Sequence, residues 1–177
     1  MTTGKFLVSL IVISAIFAGA GMYYFQVYAF YEPVAQSSPG AEIRLTRLDG
    51  VAEPIATEGF EGIDADSSPI RYRACFTTTL SQTTLNDTYV VYDAAEPLTG
   101  PGWFSCYDAA TVGGDLETGA VTAYLGEENI TYGVDRVVAI YDDGRAFVWH
   151  QLNVCGRKVF DGEPAPQGCP PVPERAR

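Results

Sequence analysis

Four cysteines and one histidine are the residues of this 177-residue chain with the most chemistry to offer, and their spacing narrows what that chemistry could be. Cys75, Cys106, Cys155 and Cys169 include no C-x-x-C pair, whereas structural zinc normally takes its thiolates from closely spaced pairs. An even count in an exported domain reads as two disulfides, and four cysteines allow three connectivities. The favoured pairing is Cys75 with Cys106 and Cys155 with Cys169, because each closes a short loop. Each closure contributes about 3 kcal/mol in the loop-entropy account. Cys75 follows Arg71 and Arg73, and flanking cations can lower a thiol pKa and make a reactive thiolate. That gives a second reading, a periplasmic thiol or redox-handling protein; the structural reading is a disulfide half beside salt-bridged arginines.

His150 is the only histidine, so any Ser-His-Asp or Cys-His chemistry must use it. It falls in a strand-like run with Ala146 and Val148 on its own face. It reads as a hydrogen-bonded structural histidine, with pH sensing or catalysis as the functional alternative. Asp64-Ala65-Asp66-Ser67 resembles the start of a calcium loop but lacks the glycine and distal glutamate of an EF-hand. Glu127-Glu128 and Asp142-Asp143 are adjacent pairs whose side chains diverge, which is poor geometry for an acid-base couple. The sequence contains no P-loop, G-x-G-x-x-G, G-x-S-x-G or C-x-x-C-H signature and no internal repeat. No catalytic residue, metal ligand or cofactor follows from these motifs, and a non-enzymatic protein is the expectation.

Net charge removes other classes. The chain carries −11, and from Glu32 to Cys155 there are 19 acidic against 6 basic residues, a local net of −13. Phosphate contacts need a basic face, so nucleic-acid binding is not expected, and anionic lipid headgroups would be repelled. Such a surface favours solubility and basic partners or cations.

The elements that must position these residues begin with an anchor. Phe6 to Phe25 is twenty residues without a charge, enough to span a bilayer core of about 30 Å. Lys5 precedes it and Glu32 follows, which places 1–5 in the cytoplasm and the rest outside. Ala18-Gly19-Ala20 resembles a signal-peptidase site. The following run of Met22, Tyr23, Tyr24, Phe25, Tyr28, Phe30 and Tyr31 instead suits an uncleaved anchor over 6–31 with an aromatic belt. Ala15 and Gly19 could admit a partner helix. With five residues ahead of the helix, a sensor would have to signal through a partner.

Beyond the anchor, 32–40 reads as a Pro/Ser/Gly tether, 41–160 as one domain and 161–177 as a Pro-rich tail. Ala41 to Leu48 and Pro69 to Leu80 alternate as strands, with Tyr89 to Tyr92 a short third; Val51 to Ser68 reads mostly as loop. Trp103 to Tyr107 reads as a buried aromatic anchor. Asp108 is placed to cap a short helix and Asp115 a longer one to about Leu125, with Gly126 as its stop. Val134 to Leu152 is two strands joined at Asp143-Gly144, with a type I′ turn expected. From Val154 onward the chain reads as irregular. The sum is an α+β fold: an N-terminal transmembrane helix, then one small domain with an antiparallel sheet of about four or five strands and one or two short helices.

Four blocks together carry a family likeness: MYYFQVYAFYE, PIRYRACFTT, PLTGPGWFSCYDA and GVDRVVAIYDDGRAFVWHQLN. On them the chain resembles a domain-of-unknown-function family of small single-anchor envelope proteins from alphaproteobacteria. The resemblance implies a bacterial inner membrane and a periplasmic domain, and it transfers no catalytic residue. The resulting expectation is an accessory or assembly subunit of a membrane complex, with an integral single span, a membrane-protein partner and no nucleic acid.

Overall fold

The computed structural model describes residues 3–174. The expectations placed on Met1 and Thr2 ahead of the helix, and on 175–177 at the end of the tail, lie outside the described residues. The chain divides into two compact units, Met1–Glu32 and Pro33–Arg177.

In the first unit, helix α1 (Thr3–Tyr24) runs into one π-helical turn, Phe25–Ala29. Thr3–Tyr28 together form a helix long and apolar enough to cross a membrane, by length and composition. Its serines are internally satisfied: the hydroxyls of Ser9 and Ser14 donate to the carbonyls of Lys5 and Ile11, each at 2.9 Å. At its end the rings of Tyr23, Tyr24, Phe25, Tyr28 and Phe30 pack on one another with centroids 6.0–6.3 Å apart.

The second unit is built on strands. After β1 (Glu32–Pro33) come β2 (Arg44–Thr46), β3 (Ala52–Pro54), β4 (Glu58–Asp64) and β5 (Arg73–Thr77). Helices α2 (Gln82–Thr88) and α3 (Ala109–Thr118) follow, then β6 (Thr122–Thr131), β7 (Val134–Ile140), β8 (Arg145–Leu152) and α4 (Val154–Phe160). Six strands form one sheet in the order β1-β4-β5-β8-β7-β6, and β2 pairs with β3 separately. The assigned pairs are antiparallel. This is the α+β architecture read from the sequence.

Both faces of the sheet are covered, which explains why β7 is buried at every residue, with no polar-out alternation. On one face Tyr72, Ala74, Phe76, Ala146, Val148, Val138 and Tyr124 meet Ile43 just ahead of β2, Leu45 within it and Leu85 from α2. On the other, α3 and the loop ahead of it lie over β5, β8 and β7. The Tyr141 hydroxyl donates to Asp115 Oδ2 at 2.5 Å, and the rings of Tyr107 and Tyr141 meet Phe147 edge-on at 6.2 and 5.7 Å. Caps define the helices locally. Ser81, Asp108 and Asn153 accept from the first-turn amides of α2, α3 and α4, and Gly119 closes α3 in the left-handed region at φ 75°.

Several elements depart from the sequence reading. The helix expected from Asp115 to Leu125 stops at Thr118, and Thr122–Thr131 is strand β6 with Gly126 inside it. The expected loop over Val51 to Ser68 contains β3 and β4. Val154 to Phe160 is helical, not irregular. The expected strand at Tyr89 to Tyr92 is instead an extended seam with two isolated bridges. Val90 N donates to Thr46 O on one side of that seam, while Leu125 N donates to Val90 O on the other, so it joins the small sheet to the large one. Trp103, expected to be buried, is 37% exposed, while Phe104 and Tyr107 carry the burial.

The β7–β8 hairpin forms as expected but with a different turn. A type I′ turn needs positive φ at both Asp143 and Gly144, and only Gly144 has it, at 86°. Gly144 N donates to Tyr141 O and Tyr141 N to Arg145 O, which makes a three-residue loop with a glycine bulge. The residues read as a tether are laid onto the domain: Val34 N donates to Gly62 O at 2.8 Å, and the Tyr72 hydroxyl to Gly40 O at 2.7 Å. Next to the short edge strand β1, β4 carries a register shift between Glu58 and Glu61, with Gly59 at φ 62°.

Candidate functional site

His150 stands on β8 opposite Arg136 of β7, on the core face shared with Ala146 and Val148. Arg136 Nε donates to its Nε2 at 3.0 Å, so Nε2 carries the lone pair and Nδ1 the proton, which reaches Pro69 O at 2.9 Å. Tyr72 stacks on the imidazole at 4.6 Å, and the Arg136 guanidinium lies over the Tyr72 ring, also at 4.6 Å. Burial, with Arg136 beside it, lowers the His150 pKa to about 3. The ring is therefore neutral through the physiological range, with both nitrogens engaged. This geometry anchors β8 to the 69–72 segment and to Arg136.

The second cluster centres on β5. Arg73, 3% exposed, donates from Nε to Leu98 O at 2.7 Å, from Nη2 to Thr99 O at 3.1 Å, and from Nη1 to the carbonyls of Ile70 and Tyr72 at 2.9 and 2.7 Å. Its guanidinium also lies 5.7 Å from the Tyr107 ring centroid. Two residues on, Cys75 is bonded to Cys106, so the sheet holds the covering loop by a covalent link and by the Arg73 bonds to the Leu98 and Thr99 carbonyls. Cys155 is bonded to Cys169, which ties the tail to α4. Both bridges match the favoured pairing, and all four cysteines are disulfide-bonded. Arg71, just ahead of β5, is half-buried.

A third polar group lies at the start of β7, beside the β6–β7 turn. Asp135, 4% exposed, accepts from the Tyr92 hydroxyl at 3.0 Å, from Asn129 N at 2.9 Å and from Asn153 Nδ2 at 2.8 Å. Gln151 continues it, accepting from Glu96 N and Trp149 Nε1 and donating to Ala94 O. These bonds join the 92–96 segment, β6–β7 and α4, and their closed stoichiometry makes them structural.

The remaining acidic features stay apart. The Asp64 carboxyl is half-buried and raised by desolvation, and Asp66 points to solvent. Asp143 is held below the usual carboxylate range by Arg145. Glu127 reaches Arg136 at 3.6 Å, whereas Glu128 is exposed. Among the described residues, no three His, Cys, Asp or Glu side chains converge to hold a metal ion.

One concave surface was not legible in the sequence. Between the β2–β3 hairpin and the middle of β6 runs a groove of about 480 Å³, lined by Thr46, Leu48, Gly50, Ala52, Val90 and Leu125 with Glu127 and Glu128 at one side. Its residues come from three separate segments, so no local spacing announces it. The signal that was available is Leu48 itself, an apolar residue next to a turn, which is 66% exposed here.

A two-face-covered antiparallel sheet, stapled by two disulfides and preceded by one long apolar helix, defines the class: an α+β domain behind an anchor or signal segment. The comparison with protein families is more particular. Residues 43–170 match a family of unknown function (DUF6446), and the chain belongs to that family. Neither the curated proteins nor the solved structures gave a match.

Proposed function

We propose that the chain is a non-enzymatic, membrane-anchored accessory or assembly subunit. It is held in the bacterial inner membrane by 6–31, with the N-terminus cytoplasmic and the disulfide-bonded domain in the periplasm. The observation that carries this reading is the pairing of a 26-residue apolar helix with a compact domain containing two disulfides. Disulfides persist in oxidising compartments, which favours the non-cytoplasmic side for the domain. Further support comes from where the reactive residue types are spent. His150, Arg73 and Asp135 each fasten one segment of the domain to another. Such a domain offers a rigid surface next to a membrane, and a rigid surface is what a subunit needs for docking.

Purification in mild detergent followed by native mass spectrometry tests the reading. A stoichiometric complex with another membrane protein is expected; a monomer without an enriched partner overturns it. The thiol reading is tested separately by alkylation of the non-reduced protein, where fast labelling of Cys75 would restore it.

A further inference from the structure

We propose that the groove between the β2–β3 hairpin and β6 is where a partner protein docks an extended basic segment. The inference rests on the accessory-subunit reading and names the surface that would carry it. Its lining mixes the apolar side chains of Leu48, Ala52, Val90 and Leu125 with Thr46, Gly50 and two glutamates. Val90 and Leu125 turn outward from the seam whose inward residues, Tyr89 and Tyr124, are buried in the core. Leu48, 66% exposed, raises an apolar wall across from Val90 and Leu125. An apolar side chain laid between Leu48 and Leu125 would remove both walls from water.

Charge selects the occupant. Of the residues lining the groove only Glu127 and Glu128 are charged, and no basic residue lines it. Glu127 is partly compensated by Arg136 at 3.6 Å; Glu128 has no ion pair among the described residues. The domain around it carries 19 acidic against 6 basic residues from Glu32 to Cys155. A lysine or arginine beside an apolar residue would find an uncompensated carboxylate there, within a field that draws cations in. An acidic segment, or a second copy of this acidic domain, would meet like charge.

Site-specific photo-crosslinking in native membranes tests this with the full chain, using p-benzoylphenylalanine at Leu48 and a control at Glu117, an exposed residue of α3. The expected result is a crosslink from position 48 alone, to a segment of another protein carrying lysine or arginine next to an apolar residue. Glu128→Lys should lower its yield about tenfold, and Glu117→Lys should leave it unchanged. A crosslink to a segment without a basic residue, to a second copy, or one indifferent to Glu128→Lys overturns the proposal. If a partner copurifies while position 48 yields nothing, the docking site fails and the subunit reading stands. If no partner copurifies, the subunit reading fails and takes the site with it.

Discussion

At the scale of single residues, two contacts make sharp claims. A Cβ on Gly156 would collide with Gly133 O, and one on Gly133 would collide with Gly156 Cα, so α4 meets the β6–β7 turn backbone to backbone. Gly156→Ala should therefore cost about 3 kcal/mol, at the upper end of overpacking effects, read as a fall in the urea midpoint. The second claim concerns protons. The His150 pKa falls from 6.5 to about 3 on folding, so between those values the unfolded chain binds a proton that the native ring refuses. Its contribution to stability is full above pH 6.5 and declines toward pH 3. Going from pH 7 to pH 5 should cost about 2 kcal/mol, at a limiting slope near 1.4 kcal/mol per unit. His150→Gln should flatten that difference, and the imidazole NMR signals of the native protein should not titrate between pH 5 and 8. The face that His150 occupies was legible because the alternation from Ala146 to His150 has a period of two. Its partners were not, since Arg136, Tyr72 and Pro69 arrive from other segments and only register brings them together.

At the scale of elements, α3 carries a removable weakness. Gly113 and Gly114 sit inside the helix, and a Cβ added at either would meet nothing within 4 Å. Gly114→Ala should stabilise the domain by about 0.5–1 kcal/mol, checked by thermal unfolding. The same glycines explain one failure of the sequence reading. They thin the apolar pattern in the true helix, while Leu116, Ala120, Ala123 and Tyr124 imitate helical spacing across its end at Gly119. Beyond that end the chain is strand because β7 lies alongside it, a long-range cause that no local window contains. The β7–β8 hairpin was legible for the opposite reason: both strands and their turn lie within one short stretch. Strand β4 was hidden because it lies toward the sheet margin, where carboxylates and glycine are tolerated and the apolar signal is weak. The disulfides divide by element as well. Removing the Cys75–Cys106 bridge, which spans 31 residues and holds the cover of one sheet face, should cost about 3–4 kcal/mol in the unfolding of a Cys75→Ala/Cys106→Ala variant.

At the scale of the whole molecule, the apolar helix and the folded unit make separable predictions. The full chain should sediment with membranes and resist alkaline extraction, and a chain starting at Pro33 should remain soluble with both disulfides intact. Protease added outside spheroplasts should reach the domain only if it lies on the periplasmic side, so full protection would contradict the proposed orientation. Another consequence comes from the margin of the sheet. Strand β1 spans only two residues, and next to it β4 breaks register at Gly59 and carries Glu58 and Glu61. For chains confined to a common plane, as the proposed anchor would confine them, encounters between copies are frequent and already oriented. A straight, uncharged margin would let neighbouring copies zip into ribbons; the kink and the two carboxylates work against such pairing along this margin.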